Sequence, residues 1–248
     1  MVNDRVQRIA VLKVPVDIVQ PDDLEPVIQA MYTDGKNHQI VLLSRADLMR
    51  ARRSPEFRTM VAGASLVIPI SMSIIRAARF LRRPVPVRYE PFDFIVRVLT
   101  ILERRTRSAY LFGTSRRNLA LAEKNLRDTF PGLRIVGRHP GSVPRDYMPK
   151  VVEAIRKATP TILLVGRLVP GGERWIPRNL GHFASGIHLW CSDVFDVFAE
   201  RRRRPPERMF ARGTEWLYYL PRHPWNVFRI WTALRFGVVA LWHRIRGI

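Results

Sequence analysis

The strongest constraint in this chain is a recurring alternation between short β-branched apolar runs and longer stretches with helical spacing. Val11 to Val19 and Gln39 to Leu43 are such runs, and between them Leu24, Val27, Ile28 and Met31 recur at intervals of three and four. The rhythm continues. Ser65 to Pro69 reads as a buried strand, Phe92 to Arg104 as a helix and Ala109 to Gly113 as a strand. Ser115 to Thr129 reads as an amphipathic helix with Ser115 as its N-cap. Leu133 to Val136, Thr161 to Val165 and Ile187 to Trp190 extend the strand series, with a helix over Asp146 to Ala158 between the first two. Successive strands joined through helices need crossover connections, so the expected fold class is α/β, a parallel sheet with helices on both faces. At 248 residues the chain suffices for one such domain with a tail.

The tail is marked by a change of composition at residue 201, which divides the chain into an expected domain over 1–200 and a basic appendage over 201–248. Arg201 to Arg204 is an unbroken basic run, Pro205-Pro206 stops any helix before it, and only Glu207 and Glu215 oppose the arginines that follow. Between Pro224 and Ile248, the residues Phe228, Trp231, Leu234, Val238, Leu241, Trp242 and Ile245 share one helical face. Arg229, Arg235, His243, Arg244 and Arg246 intersperse with them. Apolar residues on one face, cations beside them and tryptophan suited to a headgroup layer describe a helix lying in an anionic membrane surface. A terminal helix docked on its own domain or on a second copy shows the same pattern, and both alternatives stay open.

Charge narrows the partners. Lys and Arg number 42 against 21 Asp and Glu, a formal net charge of +21, and nearly all the cations are Arg. Such a field attracts phosphate, whether of nucleic acid, bilayer or sugar nucleotide, and arginine suits bidentate phosphate binding. Nucleic acid is disfavoured because the aromatics gather on an apolar helix face and no zinc-finger or RNP-type signature occurs. One cysteine, Cys191, forms no internal disulfide and supplies too few thiolates for a cysteine-rich zinc site. No secretion signal is read at the N-terminus and no apolar run is long enough to span a bilayer.

On a parallel sheet, ligands bind at the carboxyl ends of strands, where helix N-termini point amides at phosphate. Tyr110-Leu111-Phe112-Gly113-Thr114-Ser115 has that form, although an ordinary strand-to-helix turn has it too. Neither G-x-G-x-x-G nor G-x-x-x-x-G-K-[ST] occurs, so a dinucleotide fold and a P-loop are both unsupported.

Several strings, in order and at matching separations, resemble the WecG/TagA/CpsF glycosyltransferase family. They are Val11 to Asp17, Ser44 to Leu48 continuing through Arg52 to Arg58, Arg88 to Asp93, Phe130 to Gly137, and Val165-Gly166 with Pro170, Glu173 and Trp175. Val194 to Val197, Arg203 to Pro206 and Glu215 to Tyr218 complete the series, which covers almost the whole chain. The resemblance implies a Rossmann-like domain with a basic C-terminal appendage that touches the membrane and helps close the active site. It also implies a UDP-sugar donor, a polyprenyl-diphosphate-linked acceptor and no metal or other cofactor, with appendage arginines in the cation's place. The location implied is the cytoplasmic face of the bacterial inner membrane, held peripherally; association with a second copy stays open.

The chain departs from the family pattern at its reactive positions. Pro-Asp-Gly-x-Gly, with the proposed basic Asp, is here Pro69-Ile70-Ser71-Met72-Ser73; Thr-x-Asn is Leu42-Leu43-Ser44. Gly-Leu-Gly-x-Pro-Lys-Gln-Glu is Gly166 to Glu173, with Gly171 and Gly172 replacing Lys and Gln, and Pro91 replaces a glycine. Either another carboxylate acts, with Asp47, Glu90 and Asp93 as catalytic candidates, or the protein is an inactive scaffold or regulator of a polysaccharide assembly complex. Asp93 as a helix N-cap, and Asp196 and Glu173 as ion pairs with arginine, are the structural alternatives. For the nucleotide, the expected contacts are Ser44, the Gly113-Thr114-Ser115 turn, His139, Gly166 and Glu173, together with Asp196. Arg88, Arg204, Arg212 and Arg222 are expected to neutralise diphosphate.

Overall fold

The computed structural model describes residues 5–218 and 229–246. Its elements run β1 (Gln7–Val11), β2 (Val14–Ile18), α1 (Leu24–Thr33), β3 (Asn37–Leu43), α2 (Arg45–Ala51), α3 (Pro55–Gly63) and β4 (Leu66–Pro69). Then come α4 (Met72–Phe80), α5 (Pro91–Glu103), β5 (Ser108–Phe112), α6 (Arg116–Thr129), β6 (Arg134–His139), α7 (Met148–Ala158), β7 (Ile162–Gly166) and α8 (Trp175–Asn179). The chain ends with β8 (Gly186–Ser192), α9 (Val194–Phe198), α10 (Glu207–Arg212), α11 (Glu215–Tyr218) and α12 (Arg229–Ile245).

Six strands form one parallel sheet in the order β4-β3-β8-β7-β5-β6. Side chains alternate across it, as the two-residue period of a strand requires. Ile40, Ile68, Leu111, Leu164 and Leu189 face one layer, with α1, α5, α6 and α9. Val41, Leu43 and Val67 face α2, α3 and α4, while Tyr110, Phe112, Leu163 and Val165 face α7 and α8. The expected α/β architecture with helices on both faces is present, and Ser115 caps α6 by accepting from the Asn118 amide at 3.3 Å.

The first apolar run does not join this sheet. Instead of one strand over Val11 to Val19, β1 and β2 form an antiparallel hairpin whose two-residue turn, Leu12 and Lys13, has φ of 52° and 67°. That pair of left-handed residues matches the twist of a tight hairpin, and Pro15 lacks the amide that an internal strand must donate. Val11, Leu12, Val14 and Val16 are buried against α3 and α4.

Asp17 seals the hairpin to the sheet edge. Its carboxylate accepts from Arg8 Nε at 2.7 Å and Nη2 at 2.8 Å, and from the backbone amide of Val67 in β4 at 2.7 Å. Asp17→Ala leaves a buried amide unanswered and Arg8 without its carboxylate. An unfolding free energy lower by about 2–3 kcal/mol is expected from urea titration; an unchanged midpoint overturns this role.

Near the amino-terminal ends of β3 and β8, His188 is buried with Nε2 2.9 Å from Asn37 Oδ1 and its ring stacked on Phe183. Asn37 Nδ2 donates to the carbonyls of Leu180 and Phe183, which fixes the amide's orientation and makes Nε2 the protonated ring nitrogen. Burial first, then the nearby His38, pushes the His188 pKa down to about 4. The unfolded chain therefore binds a proton below about pH 6.5 that the folded chain refuses until about pH 4, so stability falls as pH drops through this window. The expected loss is about 3 kcal/mol. His188→Gln should flatten that part of the stability profile.

Candidate functional site

The strand ends carry two polar clusters and one clamp. The first cluster joins the loops after β5, β7 and β8. The Gly113 amide donates to His139 O at 3.0 Å, Thr114 N to Arg167 O at 2.6 Å, and Arg167 N to Ser192 O at 2.8 Å. Gly113 has a φ of 140°, and a Cβ there would lie 2.6 Å from Gly166 Cα, so the two strand ends meet only because residue 113 is glycine; a Cβ at Gly166 would instead strike the Phe195 ring at 2.6 Å. Asp196, almost fully buried, accepts from Thr114 Oγ1 at 2.7 Å, Asn118 Nδ2 at 2.8 Å and Arg167 Nη1 at 3.3 Å. The Gly113-Thr114-Ser115 turn thus spends the amides of Gly113 and Thr114, and the Ser115 hydroxyl, within the protein. His139, partly exposed beside Tyr147, has its pKa lowered chiefly by burial.

The second cluster stands at the end of β3. Ser44 and Asp47 form a capping box on α2: Asp47 N donates to Ser44 Oγ at 3.2 Å and Ser44 N to Asp47 Oδ2 at 3.1 Å. The Ser44 hydroxyl also donates to Asp47 Oδ2. Beside them Glu173, carried across from the loop after β7, is ion-paired with Arg50 of α2. Burial, and then the charge of Asp47, raise the Glu173 pKa, while Arg50 opposes the rise. A carboxyl group whose pKa is raised by burial and by a neighbouring acidic side chain is a recurrent feature of acid–base sites. Ser71, at the end of β4, ties this rim together by accepting from the Arg45 amide at 3.0 Å.

The clamp fastens α10 and α11. Arg88 is 6 % exposed; its Nε donates to Ile70 O at 3.0 Å, its Nη1 to Phe210 O at 2.5 Å and its Nη2 to Glu215. The Phe210 ring covers its guanidinium. Arg204 Nη1 bonds Asp93 at 2.6 Å, lies 3.7 Å from Glu90 and rests over Phe92. Glu90 itself caps α5, accepting from the Asp93 amide at 2.8 Å. Arg212 contributes its carbonyl to Arg76 and has an exposed side chain. Arg222 lies outside the described residues.

Of the carboxylates expected from the sequence, Asp47 and Glu173 are brought together, and Glu90 and Asp93 form a separate pair bound to Arg204. Arg50, Ser71 and Asn118 escape sequence reasoning. Arg50 is one cation among 42 and nothing in the sequence singles it out; Asn118, three residues after an N-cap serine, carries a weak signal. No group of His, Cys, Asp and Glu among the described residues is arranged to hold a metal ion.

A parallel sheet with acid–base side chains gathered at its carboxyl rim defines an α/β protein of the Rossmann-like class. The chain belongs to the glycosyl transferase WecG/TagA/CpsF family, whose sequence model matches residues 9–247. It is similar to N-acetylglucosaminyldiphosphoundecaprenol N-acetyl-beta-D-mannosaminyltransferase of Bacillus subtilis (strain 168), with 19% identity over 215 residues, covering 86% of this chain and 83% of that protein.

Proposed function

We propose that this protein is a hexosyltransferase that moves a sugar from a UDP-sugar to a polyprenyl-diphosphate-linked acceptor during cell-surface glycan synthesis. Family membership supplies the reaction class; the observation that carries the chemistry is Glu173, with its raised pKa, beside Asp47 at the strand-end rim. In this reading Glu173 accepts the proton of the acceptor hydroxyl as that oxygen forms its bond to the anomeric carbon. The bond from that carbon to the UDP oxygen breaks, and UDP leaves with the electron pair. Asp47 keeps the Glu173 pKa high, and Ser44 orients Asp47. His139, the 113–115 turn and Gly166 border the nucleotide, Asp196 holds their loops in register, and Arg212 and Arg222 supply cations to the diphosphate. Arg88 holds α10 and α11 against the end of β4, and Arg204 ties the segment before them to the start of α5.

The reading also places the protein on the cytoplasmic face of the inner membrane. No helix among the described residues is long and apolar enough to cross a bilayer. Instead α12 buries Phe236, Ala240 and His243 against the domain and presents Trp231, Leu234, Val238, Leu241, Trp242 and Ile245 outward. Docking on the domain and offering an apolar face, the two alternatives in the sequence, are thus compatible on opposite sides of one helix. Calorimetric titration with UDP and UDP-hexosamines, followed by transfer to a polyprenyl-diphosphate acceptor, tests the proposal; absence of both binding and turnover overturns it.

A second reading, an inactive scaffold in a polysaccharide assembly complex, is favoured by Ile70, whose aliphatic side chain stands at the end of β4 beside Ser71. Ile70→Asp puts a carboxylate next to Arg88, which already bonds the Ile70 carbonyl. A gain of transfer from an inactive parent indicates a decayed enzyme, and continued inactivity with intact partner binding indicates the scaffold.

A further inference from the structure

A cavity of about 380 Å³ lies between α2 and α12, lined by Arg45, Met49, Arg50, Arg53, Thr232 and Arg235, with Ala46 and Ser54. Small-ligand sites span about 300–1,000 Å³, so this one is large enough for a diphosphate and the start of an attached chain. Its walls are held together by Arg45, whose Nη2 donates to Thr232 Oγ1 at 2.9 Å.

Two of the arginines in this cavity carry charge that no described carboxylate neutralises. Arg50 is paired with Glu173, but Arg53 and Arg235 have no carboxylate partner among the described residues. Preceding Arg53 in the chain and outside the cavity lining, Arg52 has a buried Nη1 without a hydrogen-bond partner among the described residues, and its pKa is lowered by burial and then by Arg58 and Arg53. Cations crowded in this way repel one another until an anion joins them. On α12 the cavity adjoins the outward apolar face, since Trp231 and Leu234 flank Thr232 and Arg235. On α2 it shares Arg50 with the Glu173 pair. An anion seated here therefore has a hydrocarbon-compatible surface on one side and the acid–base cluster on the other.

We propose that this cavity binds the diphosphate of the lipid-linked acceptor. Arg53 and Arg235 grip the diphosphate, α12 receives the first part of the polyprenyl chain, and the sugar is directed along Arg50 toward Glu173. The proposal rests on the reading of the protein as a transferase acting on such an acceptor, and it assigns that acceptor a place separate from the nucleotide.

The test is direct binding to the full chain, without turnover. Farnesyl diphosphate serves as the probe, compared by calorimetry with UDP and with dihexanoyl phosphatidylglycerol, a soluble bilayer headgroup. In R53A/R235A, farnesyl diphosphate affinity is expected to fall by about 100-fold, roughly tenfold for each charge-assisted hydrogen bond removed, with UDP affinity and melting temperature unchanged. Both side chains are exposed, so the variant retains the fold. Unchanged farnesyl diphosphate affinity overturns the proposal. Equal or tighter binding of phosphatidylglycerol with the same dependence on Arg53 and Arg235 also overturns it, in favour of a bilayer-headgroup site. Should UDP fail to bind while farnesyl diphosphate binds through Arg53 and Arg235, the donor half of the proposed function fails and the acceptor site stands.

Discussion

Glu173→Gln is expected to slow sugar transfer by about 10²–10⁴-fold, the usual contribution of a positioned general base. The substitution keeps the side chain's length and leaves Arg50 an amide oxygen to bond, so UDP-sugar affinity should change little while kcat falls. The pH profile gives an independent readout. Burial and Asp47 raise the Glu173 pKa, so the base is uncharged until pH exceeds the ordinary glutamate value, and the acid limb of kcat should lie above that value. Asp47→Asn removes the second cause of the rise and should move the limb back down. Full kcat in the Glu173→Gln variant, or an acid limb indifferent to Asp47, refutes the assignment; Glu90→Gln and Asp93→Asn are expected to leave the position of the acid limb unchanged, because both carboxylates contact Arg204 and not Glu173.

Replacing Trp231, Val238 and Ile245 together by Ser is expected to weaken binding to anionic vesicles by about 1,000-fold. These three side chains are 71%, 65% and 75% exposed, so the folded protein loses little packing when they are truncated. Each contributes about 1.5 kcal/mol when taken out of water, or about 4.5 kcal/mol together, and each 1.4 kcal/mol is a factor of ten. Sedimentation with vesicles measures the effect, and an unchanged melting temperature shows that the inner face of α12 still docks. If the triple variant sediments with vesicles as the parent does, the outward face has another use.

Five strands of the central sheet are legible in the sequence as short apolar runs buried on both faces, a pattern that survives without any partner being known. Leu24, Val27, Ile28 and Met31 are legible for the same reason, and all four are buried in α1. By contrast β6 (Arg134–His139), at the margin, alternates exposed and partly buried residues, and only its Ile135-Val136 portion falls in the apolar run read over Leu133 to Val136. The two helices of the segment 45–63 are hidden: Arg45 to Arg58 is dense in arginine, and its apolar positions are few and interrupted by Pro55. The hairpin is hidden because Val11 to Val19 looks continuous, and its turn is made by Leu12 and Lys13 rather than by glycine or asparagine. The site is harder still. Nothing local to Glu90 or Asp93 shows that Arg204, more than a hundred residues later, occupies both, and nothing near Glu173 shows that Arg50 meets it. Such pairings depend on the crossover that brings separate loops to one rim, and periodicity does not encode them.

The hairpin's grip on Val67 reaches beyond folding. The outer strand of a sheet normally offers a ladder of free amides and carbonyls on which a neighbouring chain can add a strand. Here Asp17 occupies one such donor on β4, and at the far margin β6 carries the charged Arg134 and Arg138. Both margins are therefore poor templates for strand addition, so crowding at a lipid surface should not readily fuse these molecules into cross-β aggregates.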